Sequence, residues 1–114
     1  MMKRNSTEVM LADTRPGIAQ AVNAIFDHFG GGGKLLRSSR DVYIKVNGVG
    51  TEAFVYTDPE VLRQAILYFQ RCGARRIYVM ENCTQANFTR MVFHVTGYTK
   101  ICKDFGFLPH WEAK

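Results

Sequence analysis

Two short β-branched runs, "DVYIKV" (41–46) and "RRIYVMEN" (75–82), flank "TDPEVLRQAILYFQRCG" (57–73), the most sharply punctuated helix pattern in the chain. Val42, Ile44 and Val46 alternate with Tyr43 and Lys45, which predicts a strand with one apolar face. In the helix, Asp58 suits the N-cap and Pro59 the first helical position, with Thr57 and Glu60 as an alternative capping box. Val61, Leu62, Ala65, Ile66, Phe69 and Cys72 form its apolar face, and Gly73 supplies the left-handed residue that ends it. Strand, helix and strand within about 40 residues make a βαβ unit, whose strands must run parallel.

The remaining segments fit around that unit. Residues 7–12, "TEVMLA", have poor alternation and predict at most a short strand. Ile18, Ala21, Val22, Ile25 and Phe29 recur at helical spacing, with Thr14 or Asp13 as cap, Pro16 in the first turn and Gly30 as the stop. Phe88, Met91, Val92 and Val95 form another stripe ended by Gly97. Tyr98, Ile101, Cys102 and Phe105 form a last one ended by Gly106, and "FLPHWEAK" holds at best a weak strand. The predicted fold is α/β: a small three-layer βαβ parallel sheet of two to four strands flanked by helices. Residues 1–114 form a single domain, possibly an incomplete part of a longer one. Exposed sheet edges, with Leu67 among Arg63, Gln64, Gln70 and Arg71, predict a homo-oligomer or a piece of a longer protein.

Composition excludes several classes. Apolar residues make up 46% of the 114 and charged residues 22%, an ordinary globular balance. No apolar run approaches the roughly 18–20 residues of a membrane span. The N-terminus carries Asn5, Ser6 and Glu8 where a signal peptide needs an apolar core, so a cytoplasmic location is expected. Cys72, Cys83 and Cys102 lack the clustering of an iron–sulfur site or the pairing of a disulfide scaffold, and read as plain thiols, at least two of them packed. Asn5, Asn82 and Asn87 match the glycosylation triplet only by chance. His28 and His110 have no acid or cysteine at ligand spacing, so no metal site is expected. Net charge is +5, but the basic residues fall in small groups with no aromatic-interleaved basic stretch, which makes nucleic acid an unlikely partner.

Two glycine clusters invite a phosphate reading. Gly30–Gly33 precede Lys34, but Leu35 follows where a P-loop needs Ser or Thr, and the glycines come after a helix rather than before one. They read as a flexible stop. "GVGTEA" (48–53) does match G-x-G-x-x-A after a strand, yet the capped helix begins at Asp58, eight residues beyond Gly50. A pyrophosphate there would not meet the helix amides. Ligands of open α/β sheets nevertheless bind beyond the carboxyl ends of the strands. That places Lys45, Asn47, Gly48 and Gly50 beside Glu81 and Asn82, the candidate ligand-binding residues, with the N-terminus of the 58–72 helix beneath. Glu81 reads equally as a salt-bridge or cap partner, and Lys45 as a residue of the strand's other face. His94 and Arg90 read as helix-surface residues.

"VYIKVN", "TDPEVLRQAILYFQRCGARRIYVMEN" and "TGYTKICKDFG", taken together and in this order, resemble the domain of unknown function 362 family over about residues 14–106. Its Ile-Lys-x-Asn motif falls on Ile44, Lys45 and Asn47, and its Thr-Asp-Pro on Thr57, Asp58 and Pro59. The resemblance implies an α/β domain of uncharacterised biochemistry, often within a longer protein that carries iron–sulfur clusters. Here no cofactor is expected in the chain itself, with a cluster only on a missing segment or partner. No catalytic residue follows from it. The function expected is binding of a small anionic ligand or cofactor at the strand ends in a redox-associated protein, the alternative being a self-associating structural domain without a site.

Overall fold

The computed structural model describes residues 7–48, 50–52, 55–81, 88–106 and 109–110. Helix α1 (Ile18–His28) and a short α2 (Gly31–Leu35) precede β1 (Asp41–Lys45), α3 (Pro59–Arg71) and β2 (Arg76–Met80); α4 (Phe88–Thr96), α5 (Tyr98–Asp104) and the two-residue β3 (Pro109–His110) follow. The strands form one parallel sheet in the order β1-β2-β3, with Val42 opposite Ile77 and Ile44 opposite Val79. The βαβ unit is thus present as the alternation and caps require, and the fold is α/β.

Helix α3 starts as its sequence dictates. Asp58 Oδ1 accepts the Glu60 amide at 2.8 Å and Pro59 occupies the first turn. The alternative capping box does not form, because the Thr57 hydroxyl accepts the Asn47 amide instead. Leu62, Ala65, Ile66 and Phe69 are buried as expected, while Cys72 is exposed. Tyr68 joins the buried face: α1 packs against α3 there, placing Phe26 4.8–5.0 Å from the Phe69 and Tyr68 rings, and the Tyr68 hydroxyl donates to Asp27. One cluster collects Leu62, Ile66 and Phe69 of α3, Phe93 of α4, and Tyr98, Ile101 and Cys102 of α5 against Ile77 and Val79.

Four expectations are corrected. Residues 7–12 pair with no strand, and Val9 and Leu11 lie exposed. Neither Thr14 nor Asp13 caps α1: the Asp13 carboxylate is taken by Arg15, Gly17 holds the N-cap, and Pro16 lies in the bend before it. Gly30–Gly33 are more than a stop, since Gly31–Leu35 wind into α2 after Gly30 turns left-handed (φ 113°). Among the described side chains of α4 the buried ones are Thr89, Val92, Phe93 and Thr96, while Met91 and Val95 face out and the Phe88 side chain lies outside those described. These four keep helical i, i+3, i+4, i+7 spacing, but threonines do not register as apolar. Thr96 enters the core by donating its hydroxyl to the Val92 carbonyl at 2.6 Å.

The tightest approach in the helical layer is at Gly32. A Cβ built there would lie 2.2 Å from both Cβ and Sγ of Cys72, the last of which leads out of α3. Gly33 has open space around it. Gly32→Ala should therefore destabilise the domain by about 1–3 kcal/mol through overpacking. Gly33→Ala, in the same helix, should be neutral or stabilise by up to about 1 kcal/mol. Urea melts of the two variants check both signs.

Candidate functional site

Beyond β1 the chain leaves the sheet, and the contacts at that exit build the candidate site. Val46 is buried and still donates to the Met80 carbonyl at 3.2 Å. Asn47 then closes the neck of a loop in three ways. Its amide donates to Thr57 Oγ1, its carbonyl accepts the Thr57 amide, and its Nδ2 donates to the Val55 carbonyl, each at 2.9 Å. Gly48 and Tyr56 add an antiparallel bridge. The two ends of the 47–57 loop are therefore pinned to each other, and the Asp58 cap of α3 comes eight residues after Gly50.

Glu81, first residue after β2, reaches into this exit. Its side chain is only 5% exposed. Oε2 accepts the Gly48 amide at 2.7 Å, and Oε1 lies 2.8 Å from Lys45 Nζ. A buried carboxylate is expensive unless charge and hydrogen bonds compensate it, and this one has both. Lys45 crosses from the sheet's other face with its side chain 66% exposed, and Nζ also donates to the Val46 carbonyl at 3.2 Å. Gly48 has little room: a Cβ would come 3.3 Å from Val92 Cγ1 and 3.4 Å from Glu81 Cγ. The glycine matters because α4 and the carboxylate close on it, not because a phosphate does.

Of the six candidate residues, Lys45, Gly48 and Glu81 meet directly. Asn47 adjoins them, its side chain committed to the loop neck. Gly50 lies farther round the loop, where a Cβ would first meet Val55. Asn82 lies outside the described residues. The N-terminus of α3 already holds the Asp58 carboxylate, which takes the Glu60 amide, and carries Glu60 in its first turn, so its dipole is met from within. Sequence reasoning missed Tyr98 as part of this region. It counted only as core, yet its hydroxyl donates to the Thr57 carbonyl and ties α5 to the loop neck. An aromatic hydroxyl at a core position was the available signal, because a buried phenol needs an acceptor.

Among the described residues no group of three His, Cys, Asp or Glu could hold a metal ion. Cys102 is buried, Cys72 is exposed and Cys83 lies outside the described residues. His94 is on the surface of α4, and His28 sits 3.3 Å from Glu8. No described helix is long and apolar enough to cross a membrane.

A comparison with protein families matches residues 42–113 to the domain of unknown function DUF362. The chain belongs to the DUF362 family. No curated protein and no solved structure matches it. Within this DUF362 chain two of the three stretches that carry the resemblance are bonded to one another. Asn47 of the Ile-Lys-x-Asn run holds Thr57 of the Thr-Asp-Pro run, so strand exit and helix cap form one unit.

Two outcomes follow from this geometry. Glu81→Ala should cost about 1–3 kcal/mol in a urea melt, because the buried Gly48 amide loses its acceptor. Burial pushes the Tyr98 phenol up to about 12 from 10.0, against a smaller lowering by the Thr57 side chain, and the Cys102 thiol up to about 11 from 9.0. Both groups are neutral in the fold, so their contribution is complete below pH 9. It should be lost as pH rises through about 11 and 12. Melting temperature against pH should fall across that window, and Cys102→Ala should flatten its lower part.

Proposed function

We propose that this DUF362 domain binds a small anionic ligand or cofactor at the carboxyl ends of β1 and β2, with Lys45 meeting the anion. The observation that carries this reading is the state of its ammonium. It is held 2.8 Å from a buried carboxylate while its side chain remains two-thirds exposed. Glu81 Oε1 and the Val46 carbonyl engage two of its three N–H donors. The third is left for an acceptor arriving from solvent. A lysine anchored from below has lost much of its rotamer freedom already, so less is lost when a ligand binds.

The same geometry narrows the ligand. Lys45 and Glu81 form a neutral pair, and α3 is capped by its own carboxylate, so no broad positive field favours a polyphosphate here. A single carboxylate or phosphate group, received by one directed hydrogen bond, suits the site better. Asn47, Gly48 and Gly50 would form its wall, with Asn82 beside Glu81 in sequence. The wider reading is a ligand-binding part of a redox-associated cytoplasmic protein, with any iron–sulfur cluster on another segment or chain. It is supported by the family resemblance alone.

A second reading has its own observation. Asn47 and Glu81 use their polar groups on Val55, Thr57, Gly48 and Lys45, which a purely structural loop would also do. Mutating those two residues does not separate the readings, since stability falls in either case. Lys45 does separate them. Thermal shift with inorganic phosphate, acetate, citrate and AMP should find a stabilising probe, worth about 2.7 kcal/mol at a hundred times its Kd. Lys45→Gln should weaken that probe by about tenfold or more. A full set of silent probes, or an unchanged shift in Lys45→Gln, would leave the structural reading standing.

A further inference from the structure

At the start of β1, the end away from Lys45, the chain forms a pocket that the proposed site does not use. Its volume is about 620 Å³. Phe26 and Phe29 of α1, Leu35 of α2, Val42 and Tyr43 of β1 and the buried Phe69 of α3 line it. Most of its lining precedes residue 42, where the DUF362 match begins. Pockets of about 300–1,000 Å³ are those that take a drug-sized ligand. At about 30 Å³ per molecule, bulk water would place about twenty waters in this one. Many would meet rings and alkyl groups that offer them no hydrogen bond, so an apolar body gains by displacing them.

The polar groups of this pocket come from the turn that leads into β1: Arg37, Ser39 and Asp41. The Asp41 carboxylate is answered by Arg75 at 3.5 Å. Arg37 is exposed, and among the described residues its guanidinium makes no ion pair and no hydrogen bond. Ser39 Oγ accepts the Asp41 amide at 3.4 Å, which leaves its O–H to donate. The turn is also held in an unfavourable shape. Arg40 has φ 58°, the one left-handed non-glycine residue among those described. Its amide donates to the Arg37 carbonyl at 2.9 Å, and its carbonyl accepts the Arg75 amide at 2.7 Å. Backbone strain of this kind persists only where neighbours over-determine it, and it gathers at ligand clamps. Here it fixes the backbone that carries Arg37 and Ser39.

Charge and shape together choose the occupant. One guanidinium, with its planar fork of donors, matches one carboxylate. A second charge on the ligand would be left unpaired against phenyl and alkyl walls. Phe26, Phe29, Tyr43 and Phe69 supply rings on several sides, and edge or offset contacts with them suit a flat ring system. We infer that this pocket binds an aryl monocarboxylate, with its rings among these aromatics and its carboxylate on Arg37 and the Ser39 hydroxyl. The site is separate from Lys45, so either can fail without the other.

The test is isothermal titration calorimetry of the full chain with naphthoate, beside naphthylmethanol as its uncharged match. Naphthoate should bind with a submillimolar Kd, about tenfold or more tighter than the alcohol, because a hydrogen bond to a charged group is a strong one. Arg37→Gln should erase that difference and leave the alcohol's affinity unchanged. Leu35→Trp, which fills the pocket from an exposed position, should weaken both ligands by about tenfold or more. Lys45→Gln should change neither. Thermal melts check that each variant is folded. Should Leu35→Trp melt early, backbone amide NMR shifts of the unaltered chain decide instead, and on adding naphthoate they should centre on residues 35–43. The inference is overturned if naphthoate fails to bind at millimolar concentration, or if Arg37→Gln or a folded Leu35→Trp binds it as the unaltered chain does. It is equally overturned if binding is lost in Lys45→Gln, or if the shifts centre on residues 45–48, either of which would assign naphthoate to the other site.

Discussion

A carboxylate buried at the end of a strand is the interaction on which the rest of this domain is organised. Glu81 is nearly sealed from water, and its two oxygens hold the Gly48 amide and the Lys45 ammonium. Each partner comes from β1 or its exit, so the contact fastens the end of one strand to the end of the next. The ladder continues to that point, with Val46 still donating to the Met80 carbonyl. Removing the charge from water is compensated only because both partners are in place, which makes the position of β1 and the shape of its exit mutually dependent.

From that clamp the loop and helix follow in order. Asn47 takes up Thr57, Thr57 is released from capping its own helix, and Asp58 takes over the cap. Tyr98 then reaches across from α5 to the Thr57 carbonyl, so the last helical layer is tied to the same neck. Residues far apart in sequence thus share one small hydrogen-bonded region. Lys45 remains open to solvent there, its side chain two-thirds exposed.

Legibility in the sequence divided along physical lines. Local rules held where one segment supplies its own reasons: the alternation of β1, the Asp58-Pro59 cap, the apolar stripes of α3 and α5. They failed where a neighbour decides. Asp13 could have capped α1, but Arg15 was closer to its carboxylate. The glycines at 30–33 looked like a stop, yet Gly32 is a point of close approach to Cys72. In α4 the helical period was right and the face was rotated, because threonines that bond their own backbone can be buried where the eye expects methionine and valine. At the candidate site, proximity of the β1 exit to Glu81 was legible from parallel topology. The carboxylate's hold on a glycine amide was not, since any of several acceptors could have served.

Sequence alone determined that this chain makes a parallel βαβ unit, because period, cap and crossover length are properties of consecutive residues. Its order of motifs also carried the DUF362 resemblance, and the family match bears that out over residues 42–113. Tertiary structure alone decided which glycine is enclosed, which threonine caps nothing, and that two tyrosines thirty-five residues apart stack across neighbouring strands. Those facts depend on strand register and on which side the helices pack. Both are settled by long-range burial, which no local pattern contains.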